Sequence, residues 1–419
     1  MIVSLSFFKQ FPFILLFLFI FYKYIPLNAP FFGGKIFLIL MGMIGIYYIK
    51  QHKRSLRVNN EMCLMLIFVG YQGLSLFWSI NPIKGGVLFI VWTTIFVIFH
   101  TPFNVRKEVL YKFYISYYWV AAVIATVGLI LYFLHLLPIG SGANAFRGLG
   151  RQVAVYYIVL ASPIYFFIKE VKVTSKLKKM ILHSSFILII LSILLHFSRL
   201  GYAVTLLFIG CFFWGLGYRK RMGSVFLKLG ALLSCLLIFP PIFNRIKSLG
   251  IIFNLYRGLL GNKSIITYRN LRRFQLIQAG IDLFKDHFWV GTGLGGYLDI
   301  FIESYDKWGY KKTPHNGLIR MSGELGIIGI SLFYIVWLYI LRRVYKILKK
   351  IKKAEDKYIL AYLFGLILTY VLAMFLGELY NNLFIIFMMV PAYQRFKQIE
   401  NEMNHKTLKV ENEKKDIAI

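Results

Sequence analysis

Long apolar runs constrain this chain more than any motif does. A hydrocarbon layer about 30 Å thick takes roughly 20 residues of helix to cross, and about twelve such runs can be laid along the sequence. They fall at 11–27, 34–49, 61–80, 85–100, 115–138, 153–168, 181–197, 202–217, 226–240, 316–340, 358–376 and 383–392. Composition agrees: with 58% hydrophobic and only 16% charged residues over 419, a soluble domain with an ordinary polar surface is excluded. The expected fold class is an all-α integral membrane protein.

Lys and Arg total 49 against 17 acids, a net charge of +32 that would suit a nucleic-acid partner. Their distribution points to membrane lipids instead. Basic residues gather in alternate short loops, at Lys50, Lys53, Arg54 and Arg57, at Arg106, Lys107 and Lys112, at Lys169 to Lys179, at Arg219 to Arg221, and at Arg342 to Lys357. The intervening loops, 81–84 and 377–382, carry few or no cations. That is positive-inside patterning, with anionic lipid as the nearest partner and both termini expected in the cytoplasm. The first run is led by Lys9, yet no A-x-A-like cleavage site follows it, so it is expected to stay as a span. Cys63, Cys211 and Cys235 lie inside spans without metal-type spacing and are expected as small packing residues.

No internal repeat or low-complexity linker is present. The expected organisation is a nine-helix transmembrane region at 1–241, an extracytoplasmic loop at 242–314, a three-helix region at 315–394, and a charged, disordered cytoplasmic tail at 395–419. In the loop, Leu271, Phe274, Ile277, Ile281 and Phe284 recur at helical spacing within "NLRRFQLIQAGIDLF". They predict a helix that lies on the bilayer or caps the bundle.

Three stations on the extracytoplasmic side could carry chemistry. Arg199, in "HFSRLGYA", ends the seventh span, where an unpaired arginine calls for an anionic partner or a water-filled cavity; the plainer reading is a snorkelling residue. Arg269, Arg272 and Arg273 lead the amphipathic helix, and a solvated face is their plain reading. The helix runs into "GTGLGG", where Gly291, Gly293 and Gly296 satisfy G-x-G-x-x-G. Without a preceding strand that pattern is not a nucleotide site, and it predicts a tightly turned backbone packed close to the bundle. In "PHNGLIRMSGELGIIG", Asn316 is placed to cap a helix and His315 could act as a base or be structural. Glu324 stands about 900° of helix from His315, on the opposite face. It pairs instead with Arg320 at i, i+4. Asp299, Glu303 and Asp306 are the nearest approach to a metal site, and they are expected as a solvated loop face, so no metal and no cofactor is expected.

"FSRLGYA", "YRNLRRFQLIQAGIDLFKDHFWVGTGLGGY" and "PHNGLIRMSGELGIIGI", in that order over 195–330, resemble the O-antigen ligase and polymerase superfamily. The resemblance implies a twelve-span glycosyltransferase of the bacterial inner membrane with a large periplasmic loop. It implies a metal-independent, inverting transfer from an undecaprenyl diphosphate-linked oligosaccharide or polysaccharide to an acceptor glycan or the lipid A core. By the same resemblance Arg199 and Arg269 hold the diphosphate, with Arg272 or Arg273 as alternates to Arg269, and His315 is the catalytic base. Upstream, Arg147 stands where many members have an arginine, but Gln152 replaces the asparagine of their Pro-Asn pair, which weakens the match of that loop. Richness in Phe, Ile, Lys, Asn and Tyr suggests an AT-rich gene of a surface-polysaccharide cluster and leans toward polymerase over ligase. A flippase would more often show repeated halves, which are absent here.

Overall fold

Asn59 sets the start of the first helix described. Its carboxamide oxygen accepts the Met62 N–H at 2.9 Å and so caps α1 (Asn60–Leu74). The structure, a computed structural model, describes residues 59–100, 107–134, 158–171, 175–195, 199–218, 268–305, 316–375 and 383–417. A 3-10 turn, Ser75–Trp78, follows α1, and Pro82 opens α2 (Pro82–His100), where a missing N–H is harmless. Then come α3 (Lys107–Phe133), α4 (Ile164–Val171), α5 (Lys176–Leu195), α6 (Arg199–Gly215), α7 (Tyr268–Asp286), the short α8 (Tyr297–Ile300) with a π turn (Phe301–Tyr305), α9 (Gly317–Leu348), α10 (Ala354–Ala373) and α11 (Leu383–Ile417).

Among the described residues six helices are long and apolar enough to cross a membrane, α1 with its 3-10 turn, α2, α3, α5, α9 and α10, and α6 is a shorter apolar helix. The chain is an all-α, multi-pass membrane protein. The expected spans 11–27, 34–49 and 226–240 lie outside the described residues. The expected span 153–168 is helical only in part, because Pro163 has no N–H to give and the chain turns at Ser162 and Pro163 before α4.

Lipid tails are as apolar as leucine, so these helices are held by shape and hydrogen bonds. Phe68 of α1, Trp92 of α2 and Phe333 of α9 meet edge to face with centroids 5.4 to 6.3 Å apart. Trp337 and Tyr370 join α9 to α10 in the same way at 5.5 Å. Small residues bring α6 onto α10: a Cβ on Gly215 would stand 3.3 Å from Ala361, and one on Gly365 3.1 Å from the Phe208 ring. Ile328, Ser331, Ile335 and Leu338 leave one outward stripe on α9. Cys211 is buried as expected, Cys63 faces out of the bundle, and Cys235 lies outside the described residues.

The expected disordered tail is a correction. α11 runs through Pro391 and continues as helix to Ile417, and its side chains tie the basic end of the bundle together. Glu61, buried at the start of α1, meets Arg343 of α9 and Lys397 of α11, and accepts the Tyr393 hydroxyl at 2.8 Å. Arg343 and Lys397 also reach Glu400. Beside them the buried Arg395 guanidinium forks onto Asp356 of α10 at 3.0 and 3.1 Å and onto Glu402 at 3.2 Å. Such charges enter a dry interior only when paired, and here every partner comes from the helix ends.

Candidate functional site

The site grows from a break in α9. Gly326 has φ 62° and ψ −167°, a conformation that a residue with a Cβ rarely adopts, and it divides α9 into a first segment, 317–325, and a spanning segment, 327–348. At 1.5 Å per residue the second segment is about 33 Å long, enough to cross the bilayer by itself. The expected span at 316–340 is thus shifted, and Arg320 and Glu324 belong to the segment before the crossing.

A break frees backbone groups that must find partners. The glycine-rich turn after α7 supplies them. The Phe288 and Trp289 carbonyls accept the N–H groups of Ile327 and Ile328 at 2.8 and 3.3 Å, and Thr292 donates its N–H to the Gly323 carbonyl at 2.8 Å. From α1 the Tyr71 hydroxyl donates to the Leu325 carbonyl at 2.9 Å. The approach is too close for any side chain: a Cβ on Gly291 (φ 71°) would lie 2.4 Å from the Glu324 carbonyl carbon, and one on Gly326 2.3 Å from the Trp289 oxygen. On its other side the turn presses against the α1–α2 connection, where Ser79 donates to the Leu294 carbonyl at 2.8 Å and the Leu294 N–H meets Ser75 Oγ at 3.2 Å. The expectation of a tight turn packed on the bundle therefore holds. No strand precedes it among the described residues.

Asp299 differs from the solvated carboxylate expected. Lys84 donates to it at 2.8 Å and Asn81 at 2.8 Å, a latch from α2 to the loop. The Lys84 ammonium holds its carboxyl below the ordinary range against the opposing effect of burial. Burial, with the Asp286 carboxylate that it bonds, pushes the Tyr305 hydroxyl up to about 12. The Arg320–Glu324 pair is as expected, Nε to carboxylate at 3.1 Å with Glu324 buried.

Two helix pairings set which sequence positions share a level. α6 and α10 are antiparallel, by the Gly215–Ala361 and Gly365–Phe208 contacts. Carried along both helices, that register brings position 199, the first of α6, level with Phe375, whose carbonyl accepts the Asn316 carboxamide at 3.1 Å. Asn316 also caps the first segment of α9 through the Ile319 N–H at 3.1 Å, as expected. α7 and that segment are parallel. Leu283 lies 2.9 Å from where a Gly323 Cβ would stand, and Ile319 packs on the cluster that contains Leu276 and Ala279. The same register brings position 276 level with Asn316 and position 272 one turn beyond.

Arg199 thus opens α6, and Arg269, Arg272 and Arg273 fall in the first turns of α7; the placement of their side chains lies outside the described residues, as do His315 and Arg147 altogether. Positions 269, 272, 276, 279 and 283 form one i, i+3, i+7 row on α7, and its last three members are the buried ones that face α9. The row that the sequence singles out, with Ile277, Ile281 and Phe284, is not the one buried against α9: Ile281 is exposed. The break at Gly326 was not anticipated, and its one signal is the run Gly323, Gly326, Gly329 inside an apolar stretch.

Residues 184–334, which hold α6, α7, the glycine turn and the broken part of α9, match the family model described as O-antigen ligase. Over these residues the match supports a relationship to the O-antigen ligase and polymerase superfamily. Members of that family are glycosyltransferase-like enzymes, and the family implies polysaccharide and lipid substrates in general. No curated protein matches the chain. The matched stretch is therefore the one in which α7 seats on the broken helix.

Proposed function

We propose that the protein is an inverting glycosyltransferase of surface-polysaccharide assembly in the bacterial inner membrane. It transfers an undecaprenyl diphosphate-linked glycan to a sugar hydroxyl on the extracytoplasmic side. The carrying observation is the parallel pairing of α7 with the first segment of α9 inside the family match. That pairing favours a convergence of the row bearing Arg269 and Arg272 with the Asn316 end of α9, which His315 precedes. The α6–α10 register favours bringing Arg199 to the same end.

In this reading the acceptor hydroxyl gives its proton to neutral His315 while its oxygen forms the new bond to sugar C1. The bond from C1 to the diphosphate breaks on the opposite face, and the electron pair leaves with undecaprenyl diphosphate. Arg199 and Arg269, with Arg272 beside them, stabilise that growing charge as bidentate donors, so the step runs without a divalent metal; Arg147 would contact the donor from the loop upstream. The composition's lean toward polymerase makes a second lipid-linked repeat the acceptor, with the lipid A core as the alternative.

Purified protein assayed in chelator with an undecaprenyl diphosphate-linked donor tests the roles. Arg199→Lys and Arg269→Lys are expected to lose about 30- to 1,000-fold in rate, equivalent to about 2 to 4 kcal/mol, because an ammonium cannot reproduce the fork. His315→Ala is expected to lose turnover and keep donor affinity. Loss of donor affinity in His315→Ala, with Arg269→Ala unchanged in both, overturns the assignment.

A further inference from the structure

α7 has two apolar faces, and only one is used inside the protein. Leu276, Ala279, Gly280 and Leu283 are buried against α9 and the π turn. At 100° per residue, Ile277, Ile281 and Phe284 lie together within about 60° of one another, roughly 120° around the helix from the buried face, and Phe288 follows just past the end of α7. Ile281 and Phe288 are exposed, and the chain continues into Trp289 and Val290, exposed by 68% and 42%. Phe284, Phe288 and Trp289 form an aromatic chain with centroids 5.2 Å apart. Gln278, Asp282 and Lys285 fill the remaining arc.

What covers this second face is indicated by what it joins. The Trp289 carbonyl is bonded to the N–H of Ile328, the first residue of the outward stripe that continues through Ile335 and Leu338 on the spanning part of α9. Beside it the Tyr71 hydroxyl of α1 reaches the Val290 carbonyl, and the Tyr71 ring stands 6.2 Å from that of the exposed Trp78. The exposed stripe of α9 and the Trp78 end of α1 therefore both adjoin 288–290. That junction carries tryptophans, the residues that settle where hydrocarbon meets headgroups.

We infer that the Ile277–Ile281–Phe284 face, with Phe288, Trp289 and Val290, is an interfacial anchor that seats α7 in the headgroup and upper acyl zone of the bilayer. It does so on the side opposite the basic loops. One face of α7 grips the broken helix and the other grips lipid, so the depth of the whole segment is fixed from two directions. The inference stands on exposure and adjacency, independent of the proposed chemistry.

The test uses the full chain with its three native cysteines replaced, reconstituted into phosphatidylcholine vesicles. Single cysteines at Ile281→Cys, Trp289→Cys, Ile335→Cys and Gln278→Cys are each labelled with an environment-sensitive fluorophore, on variants that elute as the parent does in detergent. The labels at 281 and 289 are expected to be blue-shifted, and to lose as much emission to acyl-brominated lipid as the label at 335, while the label at 278 responds to aqueous iodide. Iodide quenching at 281 and 289 without a response to brominated lipid overturns the inference, as does shielding from both quenchers, which would signify a protein partner or a second copy on this face. Two positions, with a lipid-facing control on a different helix, keep one misfolded variant from deciding the result.

Discussion

Gly291 and Gly86 are both glycines in a helix-rich membrane protein, and the structure gives them opposite meanings. A Cβ on Gly86, in α2, would meet nothing within 4 Å, so Gly86→Ala should be neutral or raise stability by about 0.4 to 1 kcal/mol through a less disordered unfolded chain. Gly291→Ala meets the Glu324 backbone at 2.4 Å and must hold a φ of 71°, which by itself costs about 1 to 3 kcal/mol. Thermal unfolding of the two purified variants in the same detergent checks the contrast; equal midpoints would remove the glycine turn from the account. The pattern G-x-G-x-x-G was readable as a tight turn from the letters alone. Its partners were not, because the contacting groups are backbone atoms of segments that lie far away in the sequence.

At the scale of elements, the spans were legible because burial in lipid leaves a long apolar run that no neighbour needs to explain. α7 was legible as a helix, but which of its faces meets α9 was not. Hydropathy weights Ile277, Ile281 and Phe284 above Ala279 and Gly280, yet the face that closes on α9 mixes those small residues with Leu276 and Leu283. α11 was hidden for a related reason: its charges read as a solvated tail, whereas pairing lets Arg395, Lys397 and Glu400 enter the bundle end. The Arg395–Asp356 pair makes this quantitative. Arg395→Met alone leaves a buried carboxylate without its fork and should cost about 3 to 5 kcal/mol, while Arg395→Met with Asp356→Leu should cost much less. Unfolding midpoints of the two single variants and the double variant decide it; a double variant as unstable as the sum of the singles would mean that the two charges contribute independently and that the fork does not couple them.

For the whole molecule, the alternation of basic loops predicts the orientation, and the proposed chemistry needs the glycine turn on the extracytoplasmic side. A membrane-impermeant thiol reagent applied to intact cells should label a cysteine placed at Lys263 and spare one at Lys176, which opens α5 among the basic residues. Labelling at Lys176 would reverse the orientation and with it the access of a lipid-linked donor to the Asn316 end.

The glycine turn touches Ser75, Ser79 and Gly85 on one side and the backbone on either side of Gly326 on the other, two stretches that lie far apart in the sequence. Exchange of the expected loop 242–314 between relatives would therefore carry one half of a lock into a foreign key. A workable chimera has to transplant 75–85 and 323–328 along with the loop.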